Sequence, residues 1–124
     1  MKILVVDDEQ DVEMLFRQKF RKEVKAKKLE LVFAFSGQEA LDVLEKRNPP
    51  DVMYIFSDIN MPGMTGLELL DKVKLQFPQI KVSMISAYGD RENYEKAMQS
   101  GAKEFFTKPI NFDSLKTEIN TLMN

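Results

Sequence analysis

Apolar residues fall along this chain in two alternating patterns. The first is a short, nearly continuous run rich in β-branched and aromatic side chains. It occurs at Lys2–Val6, Leu29–Phe35, Val52–Phe56, Ile80–Ile85 and Lys103–Thr107, and such runs predict buried strands. The second is a stripe with helical spacing. It passes through Val12, Leu15, Phe16, Phe20 and Val24, then Ala40, Leu41 and Leu44, then Leu67, Leu70 and Val73, and finally Phe112, Leu115, Ile119 and Leu122. Start signals agree with the stripes: Ser36 with Glu39 and Thr65 with Glu68 are capping boxes, and Asp90 and Asn111 are N-cap residues. Stop signals follow at Asn48-Pro49-Pro50, Phe77-Pro78 and Gly101. Five strands thus alternate with five helices. A repeating βα pattern predicts an α/β fold, a doubly wound five-stranded parallel sheet with right-handed crossovers and helices on both faces. No linker, repeat or low-complexity stretch interrupts residues 1–124, so one domain is expected.

Composition removes whole classes of chemistry. The chain has no cysteine, which excludes disulfides and thiolate chemistry and suits a cytoplasmic protein. It also has no histidine, so imidazole metal ligands and Ser-His-Asp relays are absent. Chemistry must run on carboxylates, hydroxyls, lysine and a bound ion. No apolar run approaches the roughly 20 residues of a membrane helix, and Met1–Val6 runs straight into acids, unlike a signal peptide.

In an open α/β sheet, ligands bind beyond the carboxyl ends of the strands, at the point where strand order reverses. The first strand delivers Asp7 and Asp8 there, the third Asp58, the fourth Ser86 and the fifth Lys108. For strand order 2-1-3-4-5, the three aspartates meet at the switch point, with Ser86 and Lys108 beside them. Crowded carboxylates raise one another's pKa, and a hard divalent cation relieves that repulsion. Carboxylate is also a nucleophile toward phosphorus, in a transfer that needs positioning and charge stabilisation above all. Each residue has a plainer explanation. Asp7-Asp8-Glu9 could complement a helix dipole, Asp58 could serve the Pro62-Gly63 turn, Ser86 could be a satisfied strand-end hydroxyl and Lys108 a solvated charge. Their joint arrival at one sheet edge favours chemistry.

The motifs Val5-Val6-Asp7-Asp8-Glu9, Asp58-Ile59-Asn60-Met61-Pro62-Gly63-Met64-Thr65-Gly66, Ser86-Ala87, Gly101-Ala102 and Phe105-Phe106-Thr107-Lys108-Pro109 closely resemble those of the receiver domain of two-component response regulators, over essentially the whole chain. The resemblance implies a flavodoxin-like receiver fold with Asp58 as phosphoryl acceptor. It implies Mg²⁺ bound by Asp8 directly, by Asp7 through water, by Asp58 and by the Asn60 backbone carbonyl. Ser86 and Lys108 would meet the phosphoryl group, the Lys108–Pro109 bond would be cis, and Phe105 would be the aromatic switch partner of Ser86. Phe106 is expected to be plain core, and Asn60 and Tyr88 would tune phosphoryl lifetime. The implied partners are a sensor histidine kinase or phosphotransfer protein and a downstream effector. The effector would bind the surface of the fourth helix, fifth strand and fifth helix, with Arg91, Tyr94, Glu95, Met98, Phe105 and Ser114 as candidates. The segment Pro50–Asp58 is about two residues longer than the family usually has, as a late strand or an extended loop. The Lys22–Lys28 connection is long and basic.

The cationic run Arg17, Lys19, Arg21, Lys22, Lys25, Lys27 and Lys28 encloses one acid, Glu23. With no recognition motif or stacking aromatics beside it, a solvated helix face is expected, and no direct contact with nucleic acid. An aspartate-nucleophile phosphatase would need an acid two residues after Asp58, where Asn60 stands, and Asp7-Asp8 would repel a flavin phosphate. The expected function is therefore a phosphorylatable signalling module that assists its own phosphorylation and dephosphorylation but is not an enzyme. The alternative is a receiver-like interaction module that works without phosphorylation.

Overall fold

The computed structural model describes residues 1–46, 51–87 and 91–123. The expected Asn48-Pro49-Pro50 break, the Asp90 cap and Tyr88 lie outside them. Strands β1 (Lys2–Val6), β2 (Glu30–Ala34), β3 (Val52–Asp58), β4 (Lys81–Ser86) and β5 (Phe105–Thr107) form one parallel sheet in the order β2-β1-β3-β4-β5. The described helices are α1 (Gln10–Lys19), α2 (Arg21–Lys25), α3 (Gly37–Lys46), α4 (Gly66–Gln76), α5 (Arg91–Gln99) and α6 (Phe112–Met123).

Alternation along the strands sorts side chains into two cores. Ile3 and Val5 pack beneath Val12 and Phe16 of α1 and Leu115 and Ile119 of α6. Leu4 and Val6 point the other way, toward Leu41 and Leu44 of α3, Leu69, Leu70 and Val73 of α4, and Ala97 of α5. The first core is built on aromatics. Phe16 is fully buried and packs against Phe20, Phe33, Phe56 and Phe112 with ring centroids 5.2–6.5 Å apart. Tyr54 stacks on Phe56 at 4.5 Å, and burial pushes its phenol pKa up. Its hydroxyl pairs with the Ser83 hydroxyl, which also accepts the Glu104 amide at 3.1 Å. Glu118 of α6, paired with Lys103, lies beside that hydroxyl. This polar network ties β3, β4 and the approach to β5 beneath α6.

Several expectations change in detail. The predicted first helix is two helices. Phe20 leaves α geometry (φ −105°, ψ 17°), although hydrogen bonds from Phe20 to Phe16 and from Val24 to Phe20 carry through the kink. Only Val12, Phe16 and Phe20 of the stripe are buried; Leu15 on α1 and Val24, beyond the kink on α2, are exposed. Phe106 is half-buried rather than plain core. It lies on a three-residue edge strand with β4 as its sole strand neighbour, and leans on Phe56 at 6.0 Å. Extra length near β3 enters the strand itself. Lys2 pairs with Val52 but Ile3 pairs with Tyr54, so Met53 is bulged out and exposed. The bulge shifts parity, placing Val52 and Ile55 in one core and Tyr54 and Phe56 in the other.

Of the three capping expectations within the described residues, Thr65 and Asn111 hold in full and the Ser36–Glu39 box holds in part. Thr65 and Glu68 form the reciprocal box. At α3 the Glu39 amide donates to the Ser36 hydroxyl at 3.0 Å, while the Glu39 carboxylate reaches the Phe35 amide instead of closing on Ser36. Asn111 accepts from Asp113 and Ser114 at the start of α6. Phe16→Ala is expected to cost about 3–5 kcal/mol in urea unfolding. Leu75→Ala, at a side chain 83% exposed, should stay within roughly 0.5 kcal/mol of the parent.

Candidate functional site

The ladder runs one residue past the ends of β1, β3 and β5, and polar side chains stand at or just after the ends of β1, β3, β4 and β5. The Asp7 amide donates to the Ala34 carbonyl at 3.1 Å, the Ile59 amide to Ile85 at 3.2 Å and the Lys108 amide to Ser86 at 2.8 Å. Main-chain pairing therefore fixes Asp7, Asp58, Ser86 and Lys108 against one another before any side-chain contact forms.

Asp7, Asp8 and Asp58 converge as the sequence predicts. One carboxylate oxygen from each lies within 4.8 Å of the others, with Asp7 and Asp58 buried and Asp8 exposed. The Lys108 ammonium reaches in from β5, 3.0 Å from Asp7 and 3.6 Å from Asp58. Asp7 is oriented by the Glu9 amide at 2.9 Å, and Asp58 by the Ile59 amide at 2.9 Å. Asp7 is thus engaged with Lys108 and its own turn, and the acids in the first turn of α1 are Asp11 and Glu13. Ser86 is fully buried at the end of β4.

The electrostatics are strained on the acidic side. Burial, then the Asp7 charge, raise Asp58 from its ordinary 3.8 to about 6, although Lys108 and the Ile59 amide pull the other way. Burial alone would lower Lys108, but its hydrogen bond to Asp7 and the charges of Asp7, Asp58 and Glu9 outweigh that and raise it. The repulsion is what a cation would relieve. Three clustered carboxylates form a hard oxygen donor set suited to a small divalent ion that keeps part of its water.

The turn after Asp58 depends on one glycine. A Cβ on Gly66 would lie 2.0 Å from the Asp58 carbonyl oxygen, a contact no side chain can make. The Gly66 amide instead donates to Ile59 at 2.8 Å, which folds α4 back under the site. Gly63 has φ +75°, the left-handed region that glycine enters freely. Gly66 closes the motif that starts at Asp58, but the motif alone does not reveal this close approach. Glu9 was likewise missed as part of the field on Lys108, though it is the third acid of its run.

The remaining candidates sit around this centre. Asn60 is exposed, directly after the buried Ile59. Phe105 is half-buried, with the Tyr94 ring edge-on at 5.5 Å. Arg91, Tyr94, Glu95, Met98 and Ser114 are exposed on α5 and α6. The Lys108–Pro109 bond is cis.

Comparison with known proteins agrees with this arrangement. Residues 3–120 match the model of the response regulator receiver domain. Sporulation initiation phosphotransferase F of Bacillus subtilis is 31% identical over 95% of this chain and 90% of its own length. A receiver domain protein from Clostridium thermocellum superposes with a TM-score of 0.85 at 28% identity, covering 99% of this chain and 94% of that one. The response regulator TrrA from Thermotoga maritima, crystallised in complex with Mg²⁺–BeF, gives 0.79 at 29% identity, over 98% and 97% of the two chains. Other relatives are longer, and the chain spans 26–30% of their length.

Because Asp58 binds its proton more tightly when folded, the stability it contributes is full below about pH 4 and is lost as pH rises through about 6. In chelator, Asp58→Asn should therefore stabilise the protein at pH 7.5, by up to about 3 kcal/mol, and the advantage should fade toward pH 4. Thermal melts of both proteins across that range measure it.

Proposed function

The chain belongs to the response regulator receiver family of two-component systems, and on that premise we propose that Asp58 is the phosphoryl acceptor of a Mg²⁺-dependent receiver domain comprising residues 1–124. The observation that carries this reading is the buried Asp58 carboxylate at the end of β3, facing Asp7 and Asp8 with the Lys108 ammonium 3.6 Å away. A carboxylate oxygen of Asp58 attacks the phosphorus of a phosphohistidine on a sensor kinase or phosphotransfer protein. The new P–O bond forms as the P–N bond breaks, and the imidazole leaves with the bonding electron pair. Lys108 then exchanges part of its attachment to Asp7 for a phosphoryl oxygen, and the Ser86 hydroxyl donates to another. Asp8, Asp58 and the Asn60 carbonyl would hold Mg²⁺ directly and Asp7 through water, and the ion would supply positive charge at the phosphoryl oxygens.

Phosphorylation biases a two-state surface. Ser86 moves toward the phosphoryl group, and Phe105 turns inward beside it, away from its edge-on contact with Tyr94. That changes the face of α5, β5 and α6, where Arg91, Tyr94, Glu95, Met98 and Ser114 meet a downstream effector. Asn60 and Tyr88 control access of the water that returns Asp58 to its free carboxylate, so the domain assists its own dephosphorylation without being an enzyme on another substrate. The protein works in the cytoplasm, contacts neither nucleic acid nor membrane directly, and takes its signal from a histidine kinase.

Intact mass after incubation with Mg²⁺ and acetyl phosphate tests the acceptor. Wild type should gain one phosphoryl group, while Asp58→Asn, or wild type in chelator, should gain none. No gain in wild type with the fold intact would instead favour an interaction module that acts without phosphorylation.

A further inference from the structure

The strongest feature outside the carboxylate site lies at the opposite pole of the sheet. Residues 17–28 carry seven cations and one acid, in a chain whose net charge is −2, so the rest of the molecule is markedly acidic. The single acid, Glu23, is taken up by Lys116 of α6 at 3.4 Å. Arg17 is bound to Glu13 and lies over the Phe33 ring. Lys19, Arg21, Lys22, Lys25, Lys27 and Lys28 are exposed and have no carboxylate partner among the described residues. Lys27 holds this position at φ +60°, where glycine would be the easier residue. Clustered cations without counter-charges repel one another and are costly to the fold.

The patch is also concave and partly apolar. Val24, exposed on α2, stands between two grooves. One, of about 390 Å³, is lined by Arg17, Arg21, Val24, Lys25, Glu30 and Leu31. The other, of about 640 Å³, runs past Val24, Lys27 and Leu29 to the bulged, exposed Met53, and the two acids on its wall, Glu30 and Asp51, are both paired with Lys2. We propose that this α2 surface is a docking site for an acidic polypeptide segment, whose carboxylates meet Arg21, Lys25 and Lys27 and whose apolar side chains enter the grooves on either side of Val24. Paired grooves fit side-chain knobs and not the flat face of a bilayer. The acidic remainder of the chain would further oppose approach to an extended anionic surface. The length of β1 separates the patch from Asp7 by about 16 Å, so a partner bound here leaves the carboxylate site open to a phosphodonor.

The probe is a fluorescein-labelled peptide of repeating Glu-Glu-Leu, titrated with the full chain by anisotropy beside vesicles containing phosphatidylserine. Wild type should bind the peptide, and binding should weaken at least about tenfold in Arg21→Glu/Lys25→Glu/Lys27→Glu, in Val24→Asp and at about 0.5 M salt. Lys72→Glu, on α4, should bind as wild type, and so should Asp58→Asn, which separates this site from the phosphoacceptor. The proposal is overturned if the peptide does not bind wild type, if the triple variant binds equally well, or if only the vesicles bind.

Discussion

Two buried carboxylates share one ammonium at the centre of this structure. Asp7 and Asp58 are both almost wholly withdrawn from water, Asp8 stands beside them, and among the described residues Lys108 is the cation that reaches them. The balance is incomplete, because Asp58 remains raised to about 6 with Lys108 in place. A site left short of positive charge has affinity for more of it. The same imbalance that costs stability thus favours a bound cation.

The fold holds this unfavourable cluster by spending rigidity around it. Parallel ladders fix the strand ends, the missing side chain of Gly66 lets α4 begin against the Asp58 carbonyl, and the reciprocal Thr65–Glu68 cap secures that helix. Beneath, the packed rings of Phe16, Phe56 and Tyr54 anchor the strand that presents Asp58. The half-buried Phe105 lies on the edge strand, against the exposed Tyr94. The support beneath the acids is thus more deeply buried than the aromatic pair at the sheet edge.

The parallel sheet and the polar residues at its strand ends were legible in the βα alternation, and the order that brings Asp7, Asp8, Asp58 and Lys108 together followed from the resemblance of the motifs. What escaped were features governed by three-dimensional detail. The kink at Phe20 breaks no hydrophobic pattern, so the stripe ran on to Val24, which the fold leaves exposed. The Met53 bulge changes which face Val52 occupies, and an apolar run buried on both faces carries no parity signal. The Tyr54–Ser83–Glu118 network joins residues far apart in sequence, each of them ordinary alone. Phe106 looked like core because it is aromatic, and only its position on a short edge strand leaves it half-buried.

The central claim is that the carboxylate cluster is short of cationic charge and that a divalent ion supplies it. The most direct measurement is the melting temperature at pH 7.5 with and without Mg²⁺, for wild type and Asp8→Asn. At a Mg²⁺ concentration about 100 times its dissociation constant, the wild type should gain about 2.7 kcal/mol, a shift of several degrees. Asp8→Asn should gain little at the same concentration. An equal shift in both proteins, or none in wild type, would contradict the account.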